Sequence, residues 1–312
     1  MSDLLSVDAG VLLGVSFAIG IVIGLTGMGG GALMTPALIF LGVPPSAAVS
    51  NDLVAAAVNK TVGAGVHWRH GRPDLRLAGY LMVGSVPFAL AGGHLVQRVG
   101  GQDTEAFLLR AIGVALLFAA GSYALRILLQ RRREAGPDAP PHRTVRVRAL
   151  PTIAVGAAGG LLVGITSVGS GSVIMVALLL LYPTLHALRL VGTDLVQAVP
   201  LVLAAAIGHV VTTGIDWAVL IPLILGGSPG TFVGARIAPR VRQRVIRRGI
   251  VVVLTLTGLK LLGAGPLTVA VVAAALLLLG PALWHALTRL LVPESPPPPE
   301  PARPPVSQER TR

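Results

Sequence analysis

Residues 24–31 read GLTGMGGG, and residues 164–171 read GITSVGSG, 140 positions further along. Glycine in a helix interior costs about 1 kcal/mol relative to alanine, so each stretch predicts a break in a helix. The apolar runs that follow, 32–42 and 172–182, contain 11 residues each. A helix of that length is about 16 Å long, too short for a hydrocarbon core of about 30 Å. The sequence therefore predicts two broken or re-entrant helix hairpins.

The composition places these hairpins in a membrane protein. The chain has 312 residues, of which 53% are hydrophobic and 12% are charged. Average soluble domains carry about 25% charged residues, so this chain has too few to cover a soluble surface. Apolar segments recur along its whole length. These features exclude a cytosolic enzyme, a disordered chain and a fibrous protein, and they predict an all-α polytopic membrane protein.

The two halves of the chain are copies of one another. The Asp-Leu pair at Asp52 recurs at Asp194, an offset of 142. Glycines and a proline recur at the same offset in the fourth apolar segment of each half, which carries Gly84, Pro87 and Gly92 in the first half and Gly226, Pro229 and Gly234 in the second. An ordered series of matches indicates an internal duplication. Each copy is predicted to hold one hairpin followed by three spanning helices.

The arginines predict the orientation of the two copies. The formal net charge is +12, and arginines concentrate in the loops at 69–76, 130–148 and 240–248. Basic loops of membrane proteins face the cytoplasm, which explains this charge without a nucleic-acid partner. Five apolar segments precede the linker at 130–148. The N-terminus is therefore predicted outside and the C-terminal tail in the cytoplasm of a cell (inner) membrane, with the second copy inverted relative to the first.

These boundaries divide the chain into five parts. The predicted order is a first transmembrane repeat at 1–129, a basic cytoplasmic linker at 130–148, a second transmembrane repeat at 149–265, an additional transmembrane helix at 266–290 and a Pro-rich disordered tail at 291–312.

The two glycine-rich breaks are the predicted substrate site. We call residues 26–31 the first tip and residues 166–172 the second tip. Glycines allow a ligand to approach backbone N–H groups, and the start of the following short helix favours an anion. Close helix packing through small residues is the alternative reading of either run alone. The predicted substrate-binding residues are Thr26, Gly29, Gly30, Gly31, Asn59, Lys60, Thr166, Gly169, Ser170 and Gly171.

Polar residues inside the apolar segments support a polar interior. A charge at the bilayer centre costs at least about 2.5–3.5 kcal/mol, so it needs a partner or a cavity. Lys60 is the candidate counter-charge for an anion. Asp52, Asp194 and His209 are candidates for proton coupling, while helix capping by Asp52 and a structural role for His209 stay open.

At these residues the sequence resembles the TauE/SafE sulfite exporter family, also called the toluene-sulfonate uptake permease family, over roughly residues 11–265. The resemblance rests on GLTGMGGGALMTP at 24–36, on the two Asp-Leu pairs and on Gly-Ala-Arg at 234–236. The second copy departs from the first, with Ser170 in place of Gly30 and Val176 in place of Pro36. The resemblance implies a transporter of sulfur-containing anions such as sulfite, sulfonates or sulfoacetate.

The predicted function is therefore a secondary transporter of small anions that works by alternating access around the two tips. Its partners are a small anionic substrate and the lipid bilayer, and a homodimer stays open. The sequence lacks protease, hydrolase and nucleotide-binding motifs and cysteines, so no enzyme activity, catalytic residue, metal or cofactor is predicted. The alternatives are an ion channel or cation carrier that uses the intramembrane aspartates, and a non-transporting assembly factor.

Overall fold

The computed structural model describes residues 8–26, 30–67, 73–134, 147–169, 171–183, 185, 187–241, 243–280 and 282. This part of the chain is all-helical, with two single-turn 3-10 helices at Gly101–Asp103 and Ala238–Arg240. The α-helices are α1 (Ala9–Thr26), α2 (Gly31–Phe40), α3 (Pro45–His67), α4 (Leu75–Gly100), α5 (Thr104–Glu134), α6 (Ala149–Thr166), α7 (Val173–Leu181), α8 (Ala187–Thr213), α9 (Trp217–Ile237), α10 (Gln243–Leu261) and α11 (Pro266–Leu278).

The breaks predicted from the glycine-rich stretches are present. Helix α1 ends at Thr26, and α2 has only 10 residues; α6 ends at Thr166, and α7 has only 9. At 1.5 Å per residue, α2 and α7 are each about 15 Å long or less. Neither short helix can cross a bilayer alone.

Five helical stretches among the described residues are long and apolar enough to cross a membrane, and they lie in α1, α4–α5, α6, α8 and α9. The longest stretch, Leu75–Gln130, covers both α4 and α5, which the 3-10 turn at Gly101–Asp103 connects. Helix α3 has 23 residues but is not among the five. It carries the polar residues Asn51, Asp52, Asn59 and Lys60. The described part of the chain is all-helical, and its long apolar helices indicate a multi-pass membrane protein.

The helices of the two halves pack in a reciprocal manner. Helix α1 of the first half packs along α9, and α6 of the second half packs along α4. Glycines bring these backbones together: a Cβ on Gly84 would overlap the carbonyl oxygen of Ile153, and a Cβ on Gly226 would overlap that of Leu13. The two contacts correspond in the internal duplication: Gly84 matches Gly226, and Leu13 matches Ile153. The matched glycines therefore serve helix packing in this region.

Two reciprocal hydrogen bonds fix the ends of α3 and α8. The backbone N–H of Asp74 donates to Oγ1 of Thr193 at 2.9 Å, and that of Asp216 donates to Oδ1 of Asn51 at 3.2 Å. Asp74 also caps α4, and Asp216 caps α9. The start of α3 thus lies beside the end of α8, and the start of α8 lies beside the segment that follows α3. The two central helices are antiparallel.

The extra helix lies at the periphery. Helix α11 packs on α10 and has no buried residue. Its described part spans 13 residues, while the rest of the predicted segment to 290 falls mostly outside the described residues, as do the linker at 135–146 and the tail. The domain boundaries derived from the sequence stay predictions.

Candidate functional site

The two tips touch each other. Helix α2 begins at Gly31, and a Cβ added there would overlap the carbonyl oxygen of Ser167, the first residue after α6. Only a residue without a side chain allows this approach. Gly30 faces the same region, because a Cβ on it would lie 3.9 Å from Oδ1 of Asp52. The described parts of the first and second tips therefore form one site.

Asp52 joins α2 to the second tip. Its Oδ2 accepts a hydrogen bond from Oγ1 of Thr35 on α2 at 2.6 Å and another from Oγ of Ser167 at 2.7 Å. All three side chains are buried. A carboxylate that accepts from hydroxyl groups forms strong charge-assisted hydrogen bonds. Asp52 therefore links α3 to α2 and to the second tip. It lies in the interior of α3, which begins at Pro45, so it does not cap the start of that helix.

The backbone of the second tip is held in left-handed conformations. Ser167 has φ +60°, and Gly169 has φ +110°. A non-glycine residue in this region costs roughly 1–2 kcal/mol, a cost that the hydrogen bond from Ser167 to Asp52 helps to offset. Glycine adopts such angles freely, which accounts for its presence at position 169.

Of the other predicted tip residues, the two threonines bond within their own helices, and two residues lie outside the part that the structure describes. The hydroxyls of Thr26 and Thr166 donate to carbonyls of their own helices, at Val22 and Leu162, both four residues back. Oγ1 of Thr166 also accepts from the backbone N–H of Val168 at 3.1 Å. Gly29 and Ser170, both predicted to bind substrate, lie outside the described residues.

Lys60 and Asn59 lie on α3 beyond Asp52. Asn59 accepts a hydrogen bond from the hydroxyl of Ser228 on α9. The ammonium of Lys60 is within electrostatic range of Asp194 and of Asp52. The predicted counter-charge therefore interacts electrostatically with both intramembrane aspartates.

Asp194 and His209 have different surroundings from Asp52. Oδ1 of Asp194 accepts from Nε2 of Gln197, 3.2 Å away on the same helix. His209 is buried, and its Nε2 lies 2.6 Å from the carbonyl oxygen of Gly164 on α6. Its Nδ1 has no hydrogen-bond partner among the described residues. His209 therefore ties α8 to the last turn of α6, next to the second tip.

Arg126 is a residue at the site that the sequence reasoning missed. It lies on α5, and its Nη1 donates to the carbonyl oxygen of Gly171 in the second tip at 2.8 Å. It is also within electrostatic range of Asp194. The sequence signal that could have indicated this residue is its position: Arg126 lies inside a long apolar segment, whereas most other arginines lie in basic loops.

Together these residues surround two touching backbone breaks with two carboxylates, two cations and several hydroxyls. The cations Lys60 and Arg126 come from different helices, α3 and α5. Such a set can bind a small anion and can exchange a proton through a carboxylate.

The chain is similar to membrane proteins of one family. The family model described as "Sulfite exporter TauE/SafE" matches residues 12–261. The probable membrane transporter protein YjnA of Bacillus subtilis (strain 168) is 36% identical over 247 residues, which cover 78% of this chain and 96% of that protein. A second protein of that strain, the probable membrane transporter protein YdhB, is 26% identical over 249 residues, covering 80% of this chain and 98% of that protein. A probable membrane transporter protein of Xylella fastidiosa (strain 9a5c) is 28% identical over 235 residues, 74% of this chain and 85% of that protein. No solved structure matches the chain.

Proposed function

Because the chain belongs to the sulfite exporter TauE/SafE family, we propose that it is a secondary transporter of small anions, with sulfur oxyanions and organosulfonates such as sulfite and sulfoacetate-like compounds as substrates. The family and the transporter relatives support a membrane transporter rather than an enzyme. The observation that supports the choice of an anion is the hydrogen bond that Arg126 donates to Gly171 in the second tip, near the contact of the two tips at Gly31 and Ser167.

The substrate lies between the two tips in this proposal. Backbone N–H groups at the glycines donate to its oxygens, as helix N-termini do with phosphate and sulfate. Lys60 supplies a counter-charge. The binding residues are those of the tips and of α3 that the sequence indicates, namely Thr26, Gly29, Gly30, Gly31, Asn59, Lys60, Thr166, Gly169, Ser170 and Gly171.

The two halves act as inverted repeats, and transport follows alternating access. The antiparallel course of α3 and α8 and the reciprocal hydrogen bonds of Asp74 and Asp216 support this relation. The hairpins formed by α1–α2 and α6–α7 then enter from opposite faces. Rocking of one repeat against the other opens the site to each side in turn.

Proton movement through Asp52, Asp194 or His209 couples transport to a gradient. Asp52 is the carboxylate that accepts hydrogen bonds from α2 and from the second tip, so its protonation would change the bonds that hold these two elements together. The N-terminus lies outside and the C-terminal tail in the cytoplasm, in agreement with the basic loops.

Ligand-dependent thermal unfolding tests the proposed class of substrate. Binding to the folded state raises the unfolding midpoint, by an amount that grows with the ligand concentration relative to Kd. We expect sulfite and small sulfonates to raise the midpoint of the purified protein, with no rise in the variant Lys60→Ala.

The same titration tests the alternative function, a cation carrier. The two buried carboxylates Asp52 and Asp194 could bind a cation. Sodium, potassium and divalent cations are added as chlorides at matched ionic strength. A rise with cations and none with sulfur oxyanions would contradict the anion proposal and favour the cation carrier.

A further inference from the structure

The hydrogen bonding of Arg126 leaves most of its donors available. A guanidinium carries five N–H donors in a planar fork. Within the part of the chain that the structure describes, Arg126 makes one hydrogen bond, to the carbonyl of Gly171, and no salt bridge. Asp194 is within electrostatic range but not within salt-bridge distance. A half-buried cation that contacts the second tip therefore retains capacity for an anionic partner.

A second arginine contacts α5 one helical turn after Arg126, at Gln130. Arg247 on α10 donates from Nη1 to Oε1 of Gln130 across 3.4 Å, a long hydrogen bond. Its Nε is buried and has no hydrogen-bond partner among the described residues. Arg247 and Arg126 are within electrostatic range of each other and of Tyr123. Like charges at this range repel, and an isolated charge in a membrane is costly.

An anion between the two guanidinium groups would resolve this repulsion. We infer that Arg126 and Arg247 together bind the oxyanion group of the transported substrate beside the second tip. The inference rests on the proposed function and adds to it the residues that would select an oxyanion group over a halide. Each guanidinium offers parallel N–H donors that match two oxygens of one group. Two such forks fit a group with three oxygens on one atom, such as a sulfonate or sulfite, better than a halide.

The test is uptake of radiolabelled sulfite by the full-length protein in proteoliposomes, measured over a range of concentrations. Arg126→Lys and Arg247→Lys keep the charge and remove the fork. The controls are Arg110→Lys on α5 and Arg248→Lys on α10, since both arginines are exposed. We expect KM to rise about tenfold or more in the first two variants, the size of one charge-assisted hydrogen bond, and to stay unchanged in the controls.

Competition separates recognition from a structural role. Methanesulfonate inhibits sulfite uptake by the wild type more strongly than iodide does in this account, and both site variants lose that preference. A purely structural role would lower the maximal rate and leave KM and the preference unchanged. If Arg126→Lys reduces the yield of folded protein, Arg247→Lys provides the same two readouts.

The outcomes are distinguishable. In one outcome the wild type takes up sulfite, and the folded site variants keep both the wild-type KM and the preference for methanesulfonate over iodide. This result would overturn the role of the arginine pair and leave the proposed function standing. Absence of uptake of any sulfur oxyanion by the wild type would overturn the proposed function and the arginine pair with it.

Discussion

At the scale of single residues, Asp52 determines how α2 is held against the second tip. Its carboxylate accepts hydrogen bonds from the hydroxyl of Thr35 on α2 and from that of Ser167 in the second tip. The sequence indicates Asp52 as an intramembrane charge but not its partners, because Ser167 is 115 residues away. The sequence does not indicate Arg126 for the same reason, because its partner Gly171 lies 45 residues further along the chain.

The bridge at Asp52 predicts the effect of Asp52→Asn. An amide offers one acceptor oxygen without charge, so the bonds from Thr35 and Ser167 weaken or one of them is lost. We expect the free energy of unfolding to fall by about 1–3 kcal/mol, measured as the thermal midpoint in detergent. Asp103→Asn, at an exposed aspartate, serves as the control. An unchanged or higher midpoint in Asp52→Asn would count against the bridge.

At the scale of elements, glycines do two different things in this fold. Those at the tips end helices and let α2 approach Ser167, whereas those of α4 and α9 let whole helices pack closely. The sequence predicts the short helices α2 and α7 and the long apolar helices beside them, because breaks, prolines and basic loops are local signals. It does not show which helix packs on which. The pairing of α1 with α9 and of α6 with α4 depends on contacts far apart in the chain.

The reciprocal packing predicts that matched glycine substitutions have matched effects. In Gly84→Leu the new side chain overlaps the backbone of α6 at Ile153, and in Gly226→Leu it overlaps the backbone of α1 at Leu13. Overpacking of this kind destabilises by about 1–3 kcal/mol. Both thermal midpoints should fall by similar amounts, while Gly121→Leu, at an exposed glycine with open space around it, should show little change. A fall in only one of the pair would contradict reciprocity.

At the scale of the whole molecule, the account requires two halves of opposite orientation. The basic loops predict the cytoplasmic face, and the antiparallel arrangement of α3 and α8 is compatible with that prediction. The sequence alone predicts the orientation, because basic loops of membrane proteins face the cytoplasm. It does not supply the contact between the tips, which arises only when the halves fold together.

Single cysteines test this topology directly, since the chain has none of its own. The exposed residues Gln102 and Trp217 are predicted outside, and the exposed Arg76 and Arg240 inside. A membrane-impermeant maleimide added to intact cells should label Gln102→Cys and Trp217→Cys. The variants Arg76→Cys and Arg240→Cys should be labelled only after permeabilisation. Labelling of Arg240→Cys in intact cells would contradict the inverted arrangement of the second half.

The central claim is that a small sulfur oxyanion crosses the membrane between the two tips. Its most direct test is sulfite uptake by proteoliposomes that contain the wild type, Gly31→Ala or Gly79→Ala. The added methyl group at Gly31 overlaps Ser167, whereas Gly79 has open space around it. The account predicts saturable uptake by the wild type and by Gly79→Ala, and a loss of at least about tenfold in Gly31→Ala, equivalent to about 1.4 kcal/mol. Uptake by folded Gly31→Ala at the wild-type rate, or no uptake by the wild type, would contradict it.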